Sequence, residues 1–596
     1  MMAKLSEVAS TIWANATSPR KYIRRYWIGT LLILAATAIF FWPMITRAAS
    51  YSEGGDAMFN AWTLARDQHC ILAQSCPQYI NSNIYYPHPD TMLYSETQLS
   101  AGLLTLPLYW INNSPLFSYN IWTVISFFLS GWFVYLLVKH ISRGNEVVSV
   151  LAGLAFEFAP FKIAAVSHLQ SLSIFYLPLA ILMVLKYLEK KNIKWLVFLW
   201  LSLVLQFYAS WYQMAFVLLA MSVLILGLIA FRLTKPKQIL MLGAAVALAI
   251  ATTMPLAVQY VRFSKANHAA FSVADQTKYA SSLADYLTPD PSTIVGGVFY
   301  HFHPHAQSYN LDSRSFHGIT LYLVFALILL MVFVWRRGSL ANWRRYGLAM
   351  TFLGIGVAGF IVSLGPLLKI RGNFMYPGLG GGIPITIPLP YLLVDRFLPQ
   401  LSFIRAVGRS SGLVLLALCI GLAFLPGVLK QWNIGNKART GLYALICLLV
   451  AIELLPQHQV AMSTHEYNYN LNIPAVYKYI KAHPEVNNIV IISADVDYPN
   501  AQIPVARAEE VMWSGYYNRN IFNGYSGYTP PEYFSQINDF SDFHSDDVAK
   551  MRALNLRYIL VDKQLSTSNP ELANQVDAAV HHKIYEDMRF SLFSLQ

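Results

Sequence analysis

Residues 27–56 read WIGTLLILAATAIFFWPMITRAASYSEGGD, an apolar run followed by an acidic turn that contains two glycines. The apolar part, 27–46, is long enough for a helix to cross the roughly 30 Å hydrocarbon core of a membrane. Four basic residues precede it, namely Arg20, Lys21, Arg24 and Arg25. A signal peptide has a shorter apolar region, so the pattern predicts an uncleaved first membrane helix with a cytoplasmic N-terminus.

The rest of the chain repeats this pattern. Of its 596 residues, 55% are hydrophobic and 12% are charged, whereas soluble domains carry about 25% charge. Further apolar runs lie at 118–138, 147–165, 172–188, 194–210, 213–231, 238–258, 319–335, 347–366, 410–429 and 440–456. The sequence therefore predicts an all-α polytopic membrane protein with about 11 transmembrane helices, and the stretch 99–111 is either a further span or an interfacial helix.

The basic residues orient these helices. The net charge of +12 is divided into short clusters between apolar runs, which is typical of topology signals and not of a nucleic-acid surface. Five short loops carry these clusters, and their basic residues are Lys139 and Arg143; Lys190, Lys191 and Lys194; Arg232, Lys235 and Lys237; Arg336, Arg337, Arg344 and Arg345; and Lys430, Lys437 and Arg439. The other loops, 47–117, 160–171, 259–318 and 367–409, are mostly longer, and three of them hold few basic residues. The positive-inside rule places these four loops outside, together with the chain after 456. We expect a protein of the plasma (inner) membrane, with no nucleic-acid partner.

Two predicted domains follow from this topology, 1–456 in the membrane and 457–596 outside it. We call 47–117 the first loop and 457–596 the tail. Within the tail, 473–483 and 547–554 are predicted to be helices and 488–493 and 558–562 to be strands, so the tail is expected to be a small extracytoplasmic α/β domain. Cys70 and Cys76 lie in the first loop, where an oxidising compartment would allow a disulfide, whereas Cys419 and Cys447 fall in apolar runs.

The first loop carries the first candidate catalytic residues. Glu53 and Asp56 flank two glycines, which suit a turn that presents a carboxylate to a substrate. Asp56 also precedes the helical run 57–65 and could be its N-cap, and the two roles are compatible. Asn60 and Glu96, further along the same loop, are candidate substrate-binding residues.

Other candidates lie near the ends of apolar runs, where an ionisable group is costly unless it is paired or faces water. They are Glu157, His168, Gln170 and Tyr212, and for Glu157 and His168 the alternative is an interfacial residue that reaches water. Arg405 and Arg409 are positive charges on the predicted outer side, where a phosphate at headgroup depth would explain them. Ordinary lipid phosphate is the alternative ligand. No metal-ligand set is predicted.

Several motifs, taken in order, resemble bacterial polytopic proteins of the GT-C glycosyltransferase superfamily, of the type that depends on polyprenyl-phosphate sugars. They are Asp56, Asn60 with Trp62, Tyr86-Pro87-His88, Tyr94-Ser95-Glu96, Phe158-Ala159-Pro160, His168-Leu169-Gln170, Ser363-Leu364-Gly365-Pro366, Arg405 with Arg409, and Asn523-Gly524-Tyr525-Ser526-Gly527. The resemblance covers nearly the whole chain and implies a GT-C-like membrane domain. It does not specify the substrate.

The resemblance also implies chemistry. In that superfamily an acidic residue of the first outer loop is the catalytic base, and this role falls on Asp56. The implied donor is a sugar on a polyprenyl phosphate, and the acceptor is a glycan, a lipid or a protein. Glu53 departs from the adjacent acidic pair of some members, so a divalent cation is left open and no other cofactor is expected.

The expected activity is an inverting glycosyl transfer at the outer face of the membrane. Asp56 would take the proton of an acceptor hydroxyl, Arg405, Arg409 or His168 would meet the charge of the leaving phosphate, and Glu96 or Glu157 would orient hydroxyl groups. Two alternatives remain open: a transporter or flippase of lipid-linked sugars, which needs no base, and a non-catalytic membrane scaffold that displays the tail.

Overall fold

The computed structural model describes residues 19–595, except 53, 74–78, 304–313, 336–339, 377–384, 398–403, 433, 459–472, 494–504, 545 and 565–569. Glu53 and Cys76 therefore lie outside the described residues. Cys70 is disulfide-bonded, whereas Cys419 and Cys447 are free thiols.

The described chain is mostly helical up to residue 456. Its longer helices coincide with the predicted apolar runs: Pro19–Phe40, Pro115–Ile141, Glu146–Glu157, Tyr176–Lys190, Lys194–Ala209, Trp211–Ala230, Pro236–Ala266, Ile319–Trp335, Leu340–Ser363, Ser411–Gly421 with Leu425–Gln431, and Asn436–Leu454. Among the described residues, 6 helical segments are long and apolar enough to cross a membrane, and three further apolar helices are shorter. The polytopic helical class is confirmed, and the count of about 11 spans stays a prediction.

Other helices, most of them shorter, lie between these. They are Trp42–Thr46, Gly55–Ala73, Leu99–Leu104, Leu106–Ile111, Pro160–Ile163, Leu169–Leu172, Val273–Lys278, Ile294–Phe302 and Tyr391–Phe397, with 3₁₀ turns at Thr91–Tyr94, Ser173–Phe175, Leu283–Tyr286, Val407–Ser410 and Leu422–Phe424. The stretch 99–111 thus forms two helices of 6 residues each. Each is about 9 Å long, so neither crosses the hydrocarbon core.

The predicted run 147–165 is broken near its end. Its helix covers Glu146–Glu157, 12 residues or about 18 Å. Ala159 has ψ 138°, the extended conformation that a following proline favours, here Pro160. The chain then makes the short helices Pro160–Ile163 and Leu169–Leu172, with His168 at the start of the second. This break brings His168 to the first loop.

The tail has a four-stranded sheet of β1 (Ile489–Ile492), β2 (Tyr558–Asp562), β3 (His582–Glu586) and β4 (Phe590–Ser594), in the order β1-β2-β4-β3. Strands β1 (Ile489–Ile492) and β2 (Tyr558–Asp562) are parallel, as expected for strands joined through helices, and both are buried. The hairpin of β3 (His582–Glu586) and β4 (Phe590–Ser594) extends the sheet. The tail helices are Ala475–Ala482, Val505–Tyr517, Pro531–Asp542, Asp547–Ala553 and Pro570–Ala579.

The tail packs directly on the first loop. Tyr86 N–H donates to the Ile521 carbonyl at 3.0 Å, and Ile521 N–H donates to the Asn83 carbonyl at 2.7 Å. Trp62, on Gly55–Ala73, is 2% exposed and belongs to one apolar cluster with the tail core. Because backbone and core are both shared, the first loop and the tail form one continuous structure.

Candidate functional site

Asp56 lies at the centre of the contact between the first loop and the tail. Gly54 and Gly55 have φ of 78° and 36°, left-handed values that glycine tolerates and other residues rarely adopt. This turn starts the helix Gly55–Ala73 and puts Asp56 in its first turn. The described hydrogen bonds of its carboxylate go to side chains from two other segments and not to the helix backbone, so Asp56 does more here than cap a helix.

Both oxygens of Asp56 are engaged. His168 Nε2 lies 2.9 Å from Oδ2, and the hydroxyl of Tyr525 donates to Oδ1 at 2.9 Å. The carboxylate is still 41% exposed. A carboxylate oxygen can accept more than one hydrogen bond, so Asp56 retains the capacity to bind a further donor on its exposed side.

Asn60 links the Asp56 helix to the segment that carries His168. It lies one helical turn after Asp56, and its Nδ2 donates to the Asp56 carbonyl at 2.7 Å and to the Ser167 carbonyl at 2.9 Å. Its Oδ1 accepts from Gln98. Asn60 is 2% exposed, so its described contacts are those of a support that fixes the His168 turn against the Asp56 helix.

The pKa of Asp56 lies below its ordinary value. Burial raises the pKa, but the hydrogen bonds from His168 and Tyr525 and the charges of His168 and Arg409 lower it by more. Asp56 is therefore ionised at neutral pH. An ionised, partly exposed carboxylate is the state that a general base requires.

Arg409 acts electrostatically on this carboxylate, and Arg405 acts on its hydrogen-bond partner Tyr525. Arg409 is on the 3₁₀ turn Val407–Ser410, and its guanidinium carbon lies 5.7 Å from the ring centre of Tyr212. The Arg405 guanidinium carbon lies 4.5 Å from the ring centre of Tyr279. Aromatic faces of this kind hold arginine side chains in place by cation–π attraction, so both guanidinium groups are held without a described ion pair that neutralises them.

Glu96 provides a second carboxyl group in this region. Its Oε1 accepts from Ser210 Oγ at 2.7 Å and from Tyr212 N–H at 3.0 Å. Burial raises the pKa of Glu96 to about 7, against the lowering effects of the two hydrogen bonds and of the Arg409 charge. Arg409 acts on both Asp56 and Glu96, so the two acids belong to one electrostatic site.

The remaining predicted residues divide into two groups. Tyr212 is buried, and its hydroxyl has no described hydrogen-bond partner. The Oε1 of Gln170, two residues after His168, has no described partner either. Glu157 is fully buried and accepts a hydrogen bond from Thr37. Its other electrostatic partner is Lys162, so the structure places Glu157 with its own buried neighbours and not with Asp56.

Sequence reasoning did not select Tyr525 as a site residue. It was quoted as part of the motif 523–527, and no pattern along the chain predicts that a tail tyrosine reaches the first loop. Among the described residues, no group of three His, Cys, Asp or Glu could hold a metal ion.

Comparison by sequence finds no matching protein-family model and no matching curated protein. Comparison by structure finds arabinofuranosyltransferase AftD from Mycobacteria, with a TM-score of 0.54 and 11% sequence identity. The match covers 96% of this chain and 41% of AftD.

Two further solved structures are less similar. The Archaeoglobus fulgidus oligosaccharyltransferase has a TM-score of 0.45 at 13% identity, with 91% of this chain and 70% of that chain covered. ArnT from Cupriavidus metallidurans, bound to undecaprenyl phosphate, has a TM-score of 0.40 at 11% identity, and the match covers 96% of this chain and 98% of ArnT. The likeness to AftD carries the assignment: this chain has the GT-C fold.

Proposed function

We propose that the protein is an inverting membrane glycosyltransferase that moves a sugar from a polyprenyl-phosphate donor to an acceptor hydroxyl. The observation that carries the proposal is the partly exposed Asp56 carboxylate, which His168 holds and on which the charge of Arg409 acts. AftD, which shares the fold, is named as an arabinofuranosyltransferase. The transferred sugar is a pentose or a hexose.

The proposed reaction has one displacement step. Asp56 takes the proton of the acceptor hydroxyl as that oxygen forms a bond to the anomeric carbon of the donor sugar. The bond between that carbon and the phosphate oxygen breaks, and its electron pair leaves with the polyprenyl phosphate. Attack opposite to the leaving group inverts the anomeric centre. The products are the glycosylated acceptor, the lipid phosphate and a protonated Asp56, which then returns its proton to solvent.

The two arginines would stabilise the leaving group. In the displacement, negative charge builds up on the phosphate oxygen, and fixed cations lower the barrier most where charge develops. A lipid-linked donor keeps its phosphate in the headgroup layer, so these cations must lie at the outer ends of membrane helices. Arg409 is on the turn that precedes the helix Ser411–Gly421, which fits this requirement.

A transporter or flippase of lipid-linked sugars is the second candidate. It would also use Arg405 and Arg409 for the phosphate, but it has no use for a carboxylate kept ionised by His168 beside them. A scaffold would use neither feature. The ionised Asp56 carboxylate, hydrogen-bonded to His168, therefore favours the transferase.

Asp56→Asn tests this proposal. The amide keeps the size of the side chain but cannot accept the proton, and loss of a general base typically costs about 100- to 10,000-fold in rate. We expect kcat to fall by that amount in purified protein supplied with labelled polyprenyl-phosphate sugars, while donor binding stays within about threefold of wild type.

Asp275→Asn is the matched control, because Asp275 is an exposed acid that caps a short helix elsewhere in the chain. It should leave turnover unchanged. Transfer by Asp56→Asn at a rate near that of wild type would remove Asp56 as the base. Binding of the labelled donor without any transfer by wild-type protein, across pentosyl and hexosyl donors, would favour the transporter.

A further inference from the structure

Tyr525 brings the tail into the site. It lies between the tail helices Val505–Tyr517 and Pro531–Asp542, and its hydroxyl donates to Asp56 Oδ1 at 2.9 Å. Its ring packs at a tilt against Phe59, with ring centres 5.9 Å apart. A Cβ on Gly55 would come within 3.5 Å of the hydroxyl oxygen, so the turn that presents Asp56 lies directly against this tyrosine.

The segment that carries Tyr525 is held by the tail sheet on one side. Asn523 Nδ2 donates to the carbonyl of Ile491 at 2.8 Å, and Ile491 N–H donates to Asn523 Oδ1 at 2.7 Å. Ile491 is the third residue of β1, whose four residues are all buried. The position of the tyrosine is therefore tied to the core of the tail and not to a free loop.

The first loop holds the same segment on the other side. Tyr85 N–H donates to the Asn523 carbonyl at 3.3 Å, and the hydroxyls of Tyr85 and Ser526 are 3.0 Å apart. Tyr528 N–H donates to the Tyr94 carbonyl at 2.9 Å. Contacts before and after Tyr525 thus fix both ends of the segment on the loop that also carries Asp56.

We propose that Tyr525 is a positioning residue of the transferase site, supplied by the tail, which fixes and stabilises the Asp56 carboxylate by hydrogen bonding to Oδ1. This inference rests on the function proposed above. With Oδ1 held by Tyr525 and Oδ2 by His168, the carboxylate plane is fixed by two segments that are distant in sequence. The tail is then part of the active site and not an appended acceptor-binding module.

Among the described residues, the groups that act on the charge state of Asp56 are His168, Tyr525 and Arg409, and the Arg405 charge acts on Tyr525 itself. A hydrogen bond donated to a carboxylate favours its ionised form, so its loss raises the pKa of the acid. The predicted effect has a definite sign: without the Tyr525 hydroxyl, Asp56 stays protonated to a higher pH and the acidic limb of the activity profile moves upward.

Tyr525→Phe tests the inference because it keeps the ring and its contact with Phe59 and removes only the hydroxyl. We expect the acidic limb of the kcat/KM profile to move up by about one pH unit, since one unit corresponds to 1.36 kcal/mol and a hydrogen bond to a charged group is worth about that much or more. Thermal stability in detergent should change little.

Tyr528→Phe is the matched control. Tyr528 is on the same segment and its ring packs on Tyr94 and Phe263, but its hydroxyl has no hydrogen bond among the described residues. This variant should keep the wild-type profile.

If Tyr525→Phe does not fold, 3,5-difluorotyrosine at position 525 replaces it. This more acidic phenol is a stronger hydrogen-bond donor and should move the acidic limb of the kcat/KM profile to lower pH.

An acidic limb that stays in place in Tyr525→Phe, or in the difluorotyrosine protein, would overturn the positioning role. If Asp56→Asn were inactive at the same time, the proposed function would stand without it. Absence of transfer by wild-type protein would overturn the proposed function and this inference together.

Discussion

Arg405 and Arg409 have the same charge but different surroundings. Arg409 acts electrostatically on Asp56 and on Glu96, whereas Arg405 lies between the rings of Phe271 and Tyr279. If both bind the donor phosphate, Arg409 has an additional effect on the base. Removing its charge would raise the pKa of Asp56, so its loss should alter both donor binding and the pH profile.

Arg405→Ala and Arg409→Ala should each raise the KM for the lipid-linked donor. A charge-assisted hydrogen bond is worth about 1.5–3 kcal/mol, which corresponds to roughly 10- to 150-fold in affinity. Arg396→Ala is the control, because Arg396 is an exposed arginine of the same predicted loop. Steady-state kinetics with a labelled donor measure the effect. Normal donor KM in both variants would refute the phosphate assignment.

Much of the site can be predicted at this scale, but not all of it. Charge at the predicted membrane boundary and the family resemblance predict Asp56, His168, Arg405 and Arg409. In the structure His168 contacts Asp56, the Arg409 charge acts on Asp56, and the Arg405 charge acts on Tyr525. The contact with Tyr525 could not be predicted, since it depends on how a tail segment folds on the first loop. Glu157 was also predicted from its charge near the end of an apolar run, yet its described partners are Thr37 and Lys162 and not Asp56.

Among the elements, the tail turn 521–528 depends on a glycine. A Cβ on Gly524 would lie 2.4 Å from the Tyr85 ring, a distance at which the ring or the backbone must move. Tyr85 is fully buried and packs on Tyr533 with ring centres 4.7 Å apart, so it has little room to yield. The close approach of loop and tail therefore requires glycine at this position.

Gly524→Ala should destabilise the protein by about 1–3 kcal/mol, the usual cost of overpacking a filled site. It should also lower turnover, because the next residue is Tyr525. Gly243→Ala, at a helical position where an added Cβ meets nothing within 4 Å, is the control and should be neutral or slightly stabilising. Thermal unfolding in detergent compares the two. Equal stability of both variants would show that the turn tolerates a side chain.

The helices and strands differ in how strongly the sequence predicts them. Long apolar runs predicted the helices, because span length is a strong signal. The break at Pro160 and the two helices within 99–111 depend on prolines that can be read from the sequence. The hairpin β3–β4 was not predicted. No residue of β3 is buried, so its hydrophobic pattern is too weak to distinguish it from a loop.

At the scale of the whole molecule, the orientation in the membrane is the main untested prediction. Five short basic loops indicate a cytoplasmic N-terminus, and the predicted odd number of spans then puts the tail outside. The proposed chemistry requires this arrangement, because the tail contacts the loop that carries Asp56. Both must therefore lie on the same side of the membrane.

A topology reporter tests this orientation. A reporter that is active only in the cytoplasm should be silent when fused after Gln596 and active when fused after Lys191, in a predicted cytoplasmic loop. Strong cytoplasmic activity of the Gln596 fusion would show that the total number of spans, with the first helix included, is even.

The pairing of Asn83 with the tail has a consequence for biosynthesis. Its side chain bonds to Ser514, 431 positions later in the chain. At roughly 5–20 residues per second, the ribosome needs about 20–90 s to make the intervening chain. Throughout that time Trp62 and Tyr85 have no tail to cover them, so the nascent chain presents an uncovered aromatic surface outside the membrane. We therefore expect the newly made protein to depend on chaperones of that compartment until translation ends.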